Sequence, residues 1–190
     1  MRILAGLGNP GPAYAHHRHN VGFMAVDAIA AVHGLGPWRP RFQGQACEGR
    51  LGEAKVTLLK PMTFMNESGR SVGEAMRYLR LAPADVTVFY DELDLAPFKV
   101  KVKTGGGAAG HNGIRSIIQH IGPDFERVRI GIGHPGHKDR VTPHVLGPWA
   151  KAEEAPLADL LADIAALAPL LAAGEPVRFM NDLALRQAAD

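Results

Sequence analysis

The stretch Ile3-Leu4-Ala5-Gly6-Leu7-Gly8-Asn9-Pro10-Gly11, followed by Arg18-His19-Asn20-Val21-Gly22, joins a short apolar strand to the start of a helix. A strand running into G-x-G-x-x-G, with the acid Asp27 further on, has the outline of a dinucleotide fingerprint. In such a fingerprint the helix begins inside the glycine motif, so that its free N–H groups meet the pyrophosphate. Here Pro10 and Pro12 each remove an N–H. The helical stripe waits until Asn20, and Asp27 falls within that helix instead of ending a second strand. No G-x-x-x-x-G-K-[ST] loop is present. The glycines and prolines instead read as a stiff turn that holds the polar Asn9 at the end of the first strand.

Outward from this turn, strand and helix patterns alternate. Arg2–Leu7 reads as a buried strand. Val21, Met24, Ala25, Ala28, Ile29 and Val32 form a helical stripe that stops near Gly34. Two strands, Gln43–Gly52 and Ala54–Lys60, flank a turn at Gly52-Glu53. A helix is predicted over Glu67–Leu81, a short strand over Val86–Tyr90 and an alternating strand over Phe98–Lys103. A glycine-rich loop (Gly105–Gly113) leads into the stripe Ile114, Ile117, Ile118, Ile121. A strand over Glu126–Gly133 follows, and helices near Lys151–Ala173 and Pro176–Ala188 close the chain. The alternation predicts an α/β fold, phosphorylase/hydrolase-like, with a central mixed, mostly parallel twisted sheet flanked by helices in an α/β/α arrangement. No low-complexity linker interrupts it, so residues 1–190 read as one domain. Functional groups should gather in loops at the strand ends.

Hydrophobic residues make up 46% of the chain and charged residues 21%, which excludes a disordered composition. The lone Cys47 excludes an internal disulfide, reads as a small buried hydrophobe and fits a reducing, cytoplasmic setting. The amino terminus enters a strand directly, without a signal-peptide pattern. The apolar region around Leu157–Ala173 carries Asp159, Asp163 and Pro169, and reads as a surface-packed helix with no membrane role. The net charge of +2 conceals a basic excess in residues 1–150 and an acidic one in residues 151–190, which suggests a polyanionic partner for the body.

Asn20, Asn66 and Asn112 each stand at the start of a helical stripe, and singly each reads as an N-cap. Among nine histidines, His16, His17 and His19 crowd together. His19 immediately precedes the first helix, whose dipole favours the neutral imidazole that a general base needs. Asp91-Glu92-Leu93-Asp94 follows the buried strand, where Asp91 is placed either to orient a histidine or to satisfy loop N–H groups. No G-x-S-x-G is present, so a His–Asp pair points to direct activation of water. A metal hydrolase is the competing enzyme reading, with His134-Pro-Gly-His137 and the His16–His19 cluster as ligands. H-E-x-x-H is missing, and Pro-Gly breaks helical spacing in the first pair.

Lys99, Lys101 and Lys103 share one face of their strand, either as phosphate contacts or as a solvated edge that discourages aggregation. Arg127 and Arg129 alternate likewise, and Lys138 and Arg140 follow a glycine loop. Basic elements beside glycine loops favour contact with a nucleic-acid backbone. No aromatic stacking series accompanies them, so shape and phosphates would carry affinity.

Taken together, GLGNPG (6–11), RHNVG (18–22), KPMTFMNESG (60–69), DELD (91–94), GGGAAGHNG (105–113) and RIGIGHPG (129–136) resemble the bacterial-type peptidyl-tRNA hydrolase family, from the first strand to about Gly147. The resemblance implies hydrolysis of the ester between a peptide and the terminal ribose of tRNA, with no metal and no cofactor. It implies His19 as general base, Asp91 as its orienting acid and Asn9 as the group that favours peptidyl over free aminoacyl substrates. Tyr14, Phe64, Met65 and Asn66 match the substrate groove. Asn112 matches a binding residue that also holds the attacking water, which moves Asn66 and Asn112 from caps to substrate contacts while Asn20 stays a cap. Lys103 and Arg129 match basic positions that contact tRNA; Tyr90 receives no catalytic role. The implied partner is peptidyl-tRNA alone, with no membrane and no obligate protein partner, and the protein is expected to be a monomer. A catalytically inactive RNA-binding relative, like one used in intron splicing, is the alternative.

Overall fold

The computed structural model describes residues 1–189. In chain order its elements are β1 (Arg2–Gly6), α1 (Val21–His33), β2 (Arg39–Arg41), β3 (Gly44–Leu51), β4 (Ala54–Pro61), α2 (Ser68–Tyr78), β5 (Val86–Glu92), β6 (Val100–Thr104), α3 (Asn112–Ile121), β7 (Glu126–Gly131), α4 (Val141–Val145), α5 (Glu154–Ala172) and α6 (Pro176–Ala188). One seven-stranded sheet takes the order β2-β3-β4-β1-β5-β7-β6. The four strands β4, β1, β5 and β7 are parallel, with Ile3 opposite both Thr57 and Val86, and Asp91 opposite Ile130. The outer pairings β2–β3, β3–β4 and β6–β7 are antiparallel.

Successive residues of a strand face opposite sides, and the two cores divide accordingly. Leu4, Leu58, Phe89, Val128 and Ile130 pack under α1, α5 and α6. Ile3, Ala5, Val86, Val88 and Tyr90 pack under α2 and α3. This is the expected α/β/α arrangement around a mixed, mostly parallel sheet. The segment Lys151–Ala172 is long and apolar enough to cross a membrane by composition. In the fold, Leu157, Leu160, Ile164, Leu167, Ala168 and Leu171 bury one face of α5 in the first core. Each such Leu or Ile contributes about 1.5–3 kcal/mol when fully buried.

The RHNVG glycine has a steric reason. A Cβ on Gly22 would sit directly against the Phe89 carbonyl oxygen and the Leu7 amide. Its absence lets the first turn of α1 lie on β1 and β5, where the Leu7 carbonyl accepts the Phe23 N–H at 3.2 Å and the Leu7 N–H donates to Phe89 at 3.1 Å. On the opposite layer, a Cβ on Gly69 of α2 would strike the Ser116 carbonyl of α3.

Several local expectations need correction. The helix predicted to Leu81 stops at Tyr78, because Arg80 turns to φ +57° and Pro83 follows. The β2 strand is only three residues and contains Pro40, so it carries no readable alternation. The five-residue α4, with Pro143 in its first turn, is too short to show a stripe. None of the three asparagines caps a helix through its side chain. The first turn of α1 is satisfied by Leu7, which releases the Asn20 amide for another task. The Gly69 N–H at the start of α2 donates to the Ser116 hydroxyl at 2.9 Å, and Asn66 sits in the preceding turn. The cap of α3 is His111, one residue before Asn112, with Nδ1 accepting the Ile114 N–H at 3.2 Å.

Candidate active site

The parallel strands place the ends of β1, β4, β5 and β7 on one edge of the sheet, and the motifs identified above meet there. Asp91, near the end of β5, is only 4% exposed. His19 occupies the single tight turn (Arg18–Asn20) that precedes α1. Its Nδ1 lies 2.8 Å from Asp91 Oδ2. The second carboxylate oxygen, Oδ1, lies 2.9 Å from Nε2 of His111. Because His111 Nδ1 accepts a backbone N–H, its proton resides on Nε2, and that N–H donates to Asp91. Asp91 thus faces two imidazoles whose centroids are 5.0 Å apart. Burial by itself raises the Asp91 pKa; the charges and hydrogen bonds of His111 and His19 outweigh it and hold the carboxyl well below the usual carboxylate range. With Nδ1 of His19 directed at a carboxylate, the lone pair of its Nε2 is the basic site of the pair.

A cleft of about 240 Å³ opens over this pair, lined by His19, Asp91, His111, Asn112, Val141 and Val145. The last two belong to α4, which is tied down at several points. His144 Nε2 lies 3.0 Å from the Ile132 carbonyl. Arg18 donates from Nη1 to the His144 carbonyl at 3.1 Å and from Nη2 to Glu153 at 3.2 Å, and its backbone N–H donates to Gly147 at 2.9 Å. The residue before His19 therefore also anchors the segment that covers the cleft.

Asn9 is held from two sides. Its backbone N–H donates to Asn20 Oδ1 at 3.0 Å, and its carbonyl accepts from Asn20 Nδ2 at 2.9 Å. Its side-chain Oδ1 accepts the Met65 N–H at 2.7 Å. A backbone N–H is only a donor, so this contact fixes the amide with Oδ1 toward Met65 and leaves Nδ2 to donate elsewhere. Phe64 adopts φ +62° and ψ 155°, a region that costs a non-glycine residue on the order of 1–3 kcal/mol. Its ring is 54% exposed and stands edge-on to Tyr14 with centroids 6.3 Å apart. Asn66 and Asn112 line one shallow groove of about 190 Å³ with Arg115, Ser116 and Gln119.

These features coincide with a whole-chain family match. The model of the family described as peptidyl-tRNA hydrolase matches residues 3–189. The chain belongs to the peptidyl-tRNA hydrolase family. A peptidyl-tRNA hydrolase of Erythrobacter litoralis is 69% identical over 186 residues, covering 98% of each chain. One of Novosphingobium aromaticivorans is 67% identical over 187 residues, again covering 98% of each. A crystal structure of peptidyl-tRNA hydrolase from Acinetobacter baumannii superposes with a TM-score of 0.87 at 41% identity, covering 96% of this chain and 94% of that one.

For this member of the peptidyl-tRNA hydrolase family, the structure groups His19, Asp91, Asn9, Phe64, Tyr14, Asn66 and Asn112 along one edge of the sheet. Met65 lies beneath that surface: its side chain is 3% exposed and its N–H is the part turned to Asn9. Lys103 does not enter the cleft. It is exposed on the edge strand β6, opposite Arg127 and toward the other end of the sheet. Arg129 is half-buried, with Nη1 3.8 Å from Glu92. Arg127 is fully buried and donates to the carbonyls of Gly107, Gly106 and Pro123 at 2.6, 2.7 and 3.0 Å, so it braces the glycine loop instead of facing a ligand. Tyr90 is buried beside His111, and burial reinforced by Glu92 pushes its phenol up to about 12.

His111 and Asn20 are the members of this peptidyl-tRNA hydrolase-family site that sequence reasoning passed over. Both stand inside quoted motifs: an N-cap reading explained Asn20 too easily, and His111 received no reading of its own because the cap was assigned to its neighbour Asn112. The alternative ligand pair His134 and His137 is used locally, since Nδ1 of each accepts a backbone N–H two residues on, from Gly136 and Asp139. His19, Asp91 and His111 also bring potential metal-ligand atoms within 4.8 Å of one another.

Proposed function

We propose that His19 is the general base, oriented by Asp91, of an esterase site in which this chain's own side chains supply the chemistry. As a peptidyl-tRNA hydrolase, the protein binds tRNA and cleaves the ester between peptide and tRNA. The 2.8 Å contact between His19 Nδ1 and Asp91 carries the residue assignment, because it fixes the tautomer and presents Nε2 as acceptor. Nε2 takes a proton from water as the water oxygen bonds to the ester carbonyl carbon. Negative charge grows on the carbonyl oxygen, and Asn9 Nδ2, left as a donor by the Met65 contact, is assigned here to stabilise it. Collapse breaks the bond to the ribose oxygen, which leaves with the proton returned by His19.

Asn66 and Asn112 contact the peptide portion in this reading, since an amide offers a donor and an acceptor without charge. Tyr14 and Phe64 wall the groove. Asn9 favours a blocked, peptidyl amino group over a free ammonium, which its Nδ2 donor would repel. Lys103 and Arg129 lie on the side of the sheet where exposed Lys99 and Lys101 add positive charge, and they contact tRNA phosphates. The lone buried Cys47 suits a reducing, cytoplasmic setting, and a monomer is the oligomeric state adopted in this reading.

His19→Ala tests the assignment. Turnover of a peptidyl-tRNA should fall by at least about 100-fold, the lower bound for a general base, while tRNA binding stays near that of the wild type. Retained turnover would overturn the role of His19. Loss of binding along with turnover would assign His19 to recognition.

A further inference from the structure

We infer that the cleft beside the β2–β3 turn is a distal peptide subsite of this hydrolase and that it favours acidic residues; the inference rests on the esterase reading above. The sheet register places it. Gly44 at the start of β3 pairs with Pro61 at the end of β4, and Arg41 at the end of β2 pairs with Gly44. The turn Arg41-Phe42-Gln43-Gly44 therefore sits on the same edge of the sheet as Asn9, His19 and Asp91. An open cleft of about 480 Å³ lies there, lined by Arg41, Gln43, Gln45, Met62, Thr63 and Arg70. Met62 and Thr63 run directly into Phe64 and Met65, so the cleft continues the groove wall.

The two ends of the substrate sort themselves by charge. Lys101 and Lys103 on β6, and Lys99 just before it, are exposed at one margin of the sheet. Lys138 and Arg140 are exposed just before α4, on the same side of the catalytic pair. A polyanion lies toward that margin. The peptide then leaves the ester in the opposite direction, across the end of β4 toward β3 and β2. Strands lie about 4.8 Å apart and an extended chain advances about 3.3 Å per residue, so the cleft meets the peptide about three to four residues from the ester.

Its chemistry suits carboxylates and backbone amides. Arg70 is exposed, and no ion pair of the described residues engages it. Arg41 is fixed over the rings of Phe42 and Tyr78, at 4.4 and 4.7 Å, with one side taken by Glu48 at 3.0 Å. Stacking of this kind preorganises a guanidinium for its remaining acceptors. Gln45 adds an uncharged amide, while Gln43 donates to Glu74 at 3.1 Å, so Glu48 and Glu74 are the acids that temper the charge. Phe42 and Gln43 both hold left-handed φ values of 56° and 54°, a tight turn that keeps Arg41 and Gln43 at the cleft.

The test compares peptidyl-tRNAs built on one tRNA: a dipeptide, and two hexapeptides carrying Glu or Lys at the third and fourth positions from the ester. Wild-type kcat/KM should favour the Glu hexapeptide over the Lys one by about two- to fivefold, the scale of exposed ion pairs. Arg70→Gln should erase that preference and leave the dipeptide unchanged. Equal rates for both hexapeptides with the wild type would overturn the subsite. An equal loss on all three substrates with a flatter salt dependence would also overturn it, by assigning Arg70 to the tRNA. Failure of the esterase reading shows separately, as uncleaved dipeptide substrate or as turnover that survives His19→Ala.

Discussion

Asn20 grips the backbone of Asn9 with both ends of its amide, accepting the Asn9 N–H at 3.0 Å and donating to the Asn9 carbonyl at 2.9 Å. The residue that opens α1 thereby fixes the polar residue of the glycine turn. Asn20→Asp keeps the acceptor but sets a carboxylate oxygen against a carbonyl. The variant should lose about 1–3 kcal/mol of stability, read from urea unfolding. Its kcat should fall as Asn9 shifts, with His19 and Asp91 still paired. Full activity in a destabilised variant would show that the clamp serves folding alone.

His111→Ala removes the donor to Asp91 Oδ1 and leaves a buried carboxylate oxygen unpaired. The cost is expected at about 1–3 kcal/mol. The carboxylate is also freed to rotate away from His19, so kcat should drop while KM stays close to the wild type. His111→Gln, which keeps an N–H donor, should recover part of both. Steady-state kinetics alongside thermal unfolding separates the two effects, and unaltered kcat in His111→Ala would end the orienting role.

The depressed pKa of Asp91 makes a signed prediction about acid stability. An ordinary unfolded carboxyl titrates near 3.9. The folded group stays ionised below that value, so the unfolded state binds more protons there. Its stabilising contribution is complete above about pH 5 and is lost as pH falls below about 4, toward the depressed folded value. The stability gap between the wild type and Asp91→Asn should narrow when unfolding is measured at pH 3 instead of pH 6. A gap that does not change would contradict the assignment.

Two cations one register pair apart should behave oppositely. Lys103→Ala is expected to weaken tRNA binding modestly and to reduce the slope of log K against log salt by about 1. Arg127→Ala should destabilise the protein through the glycine loop it braces, with little change in that slope. A salt titration of tRNA binding by both variants decides the matter.

Much of the fold is legible in the sequence. The strand-to-helix alternation is set by side-chain period, which is local, and it carried the sheet class and most elements. The meeting of His19 and Asp91 is legible because one precedes a helix and the other stands near the end of a strand, on the edge where a parallel sheet gathers its loops. The parts that were not legible depend on contacts distant in sequence. Asn20 reads as a cap until Leu7 is seen to satisfy the helix. His111 caps α3 with one nitrogen and holds Asp91 with the other, and only the second bond needs the fold. Arg127 and Arg129 alternate in the sequence like two equivalent cations, yet one is sealed under the glycine loop. The α4 segment over the cleft, only five residues long, carries no periodic signal at all.

The double hydrogen bond to Asp91 constrains the path of the proton in the proposed reaction. Both carboxylate oxygens already receive an N–H, one from each imidazole. The two imidazoles hold its carboxyl well below the usual carboxylate range, so it keeps its charge and is no station on a relay. The proton that His19 draws from water therefore waits on Nε2, on the side facing the cleft. Its way out is the departing ribose oxygen, so each turnover moves one proton out and back through a single nitrogen.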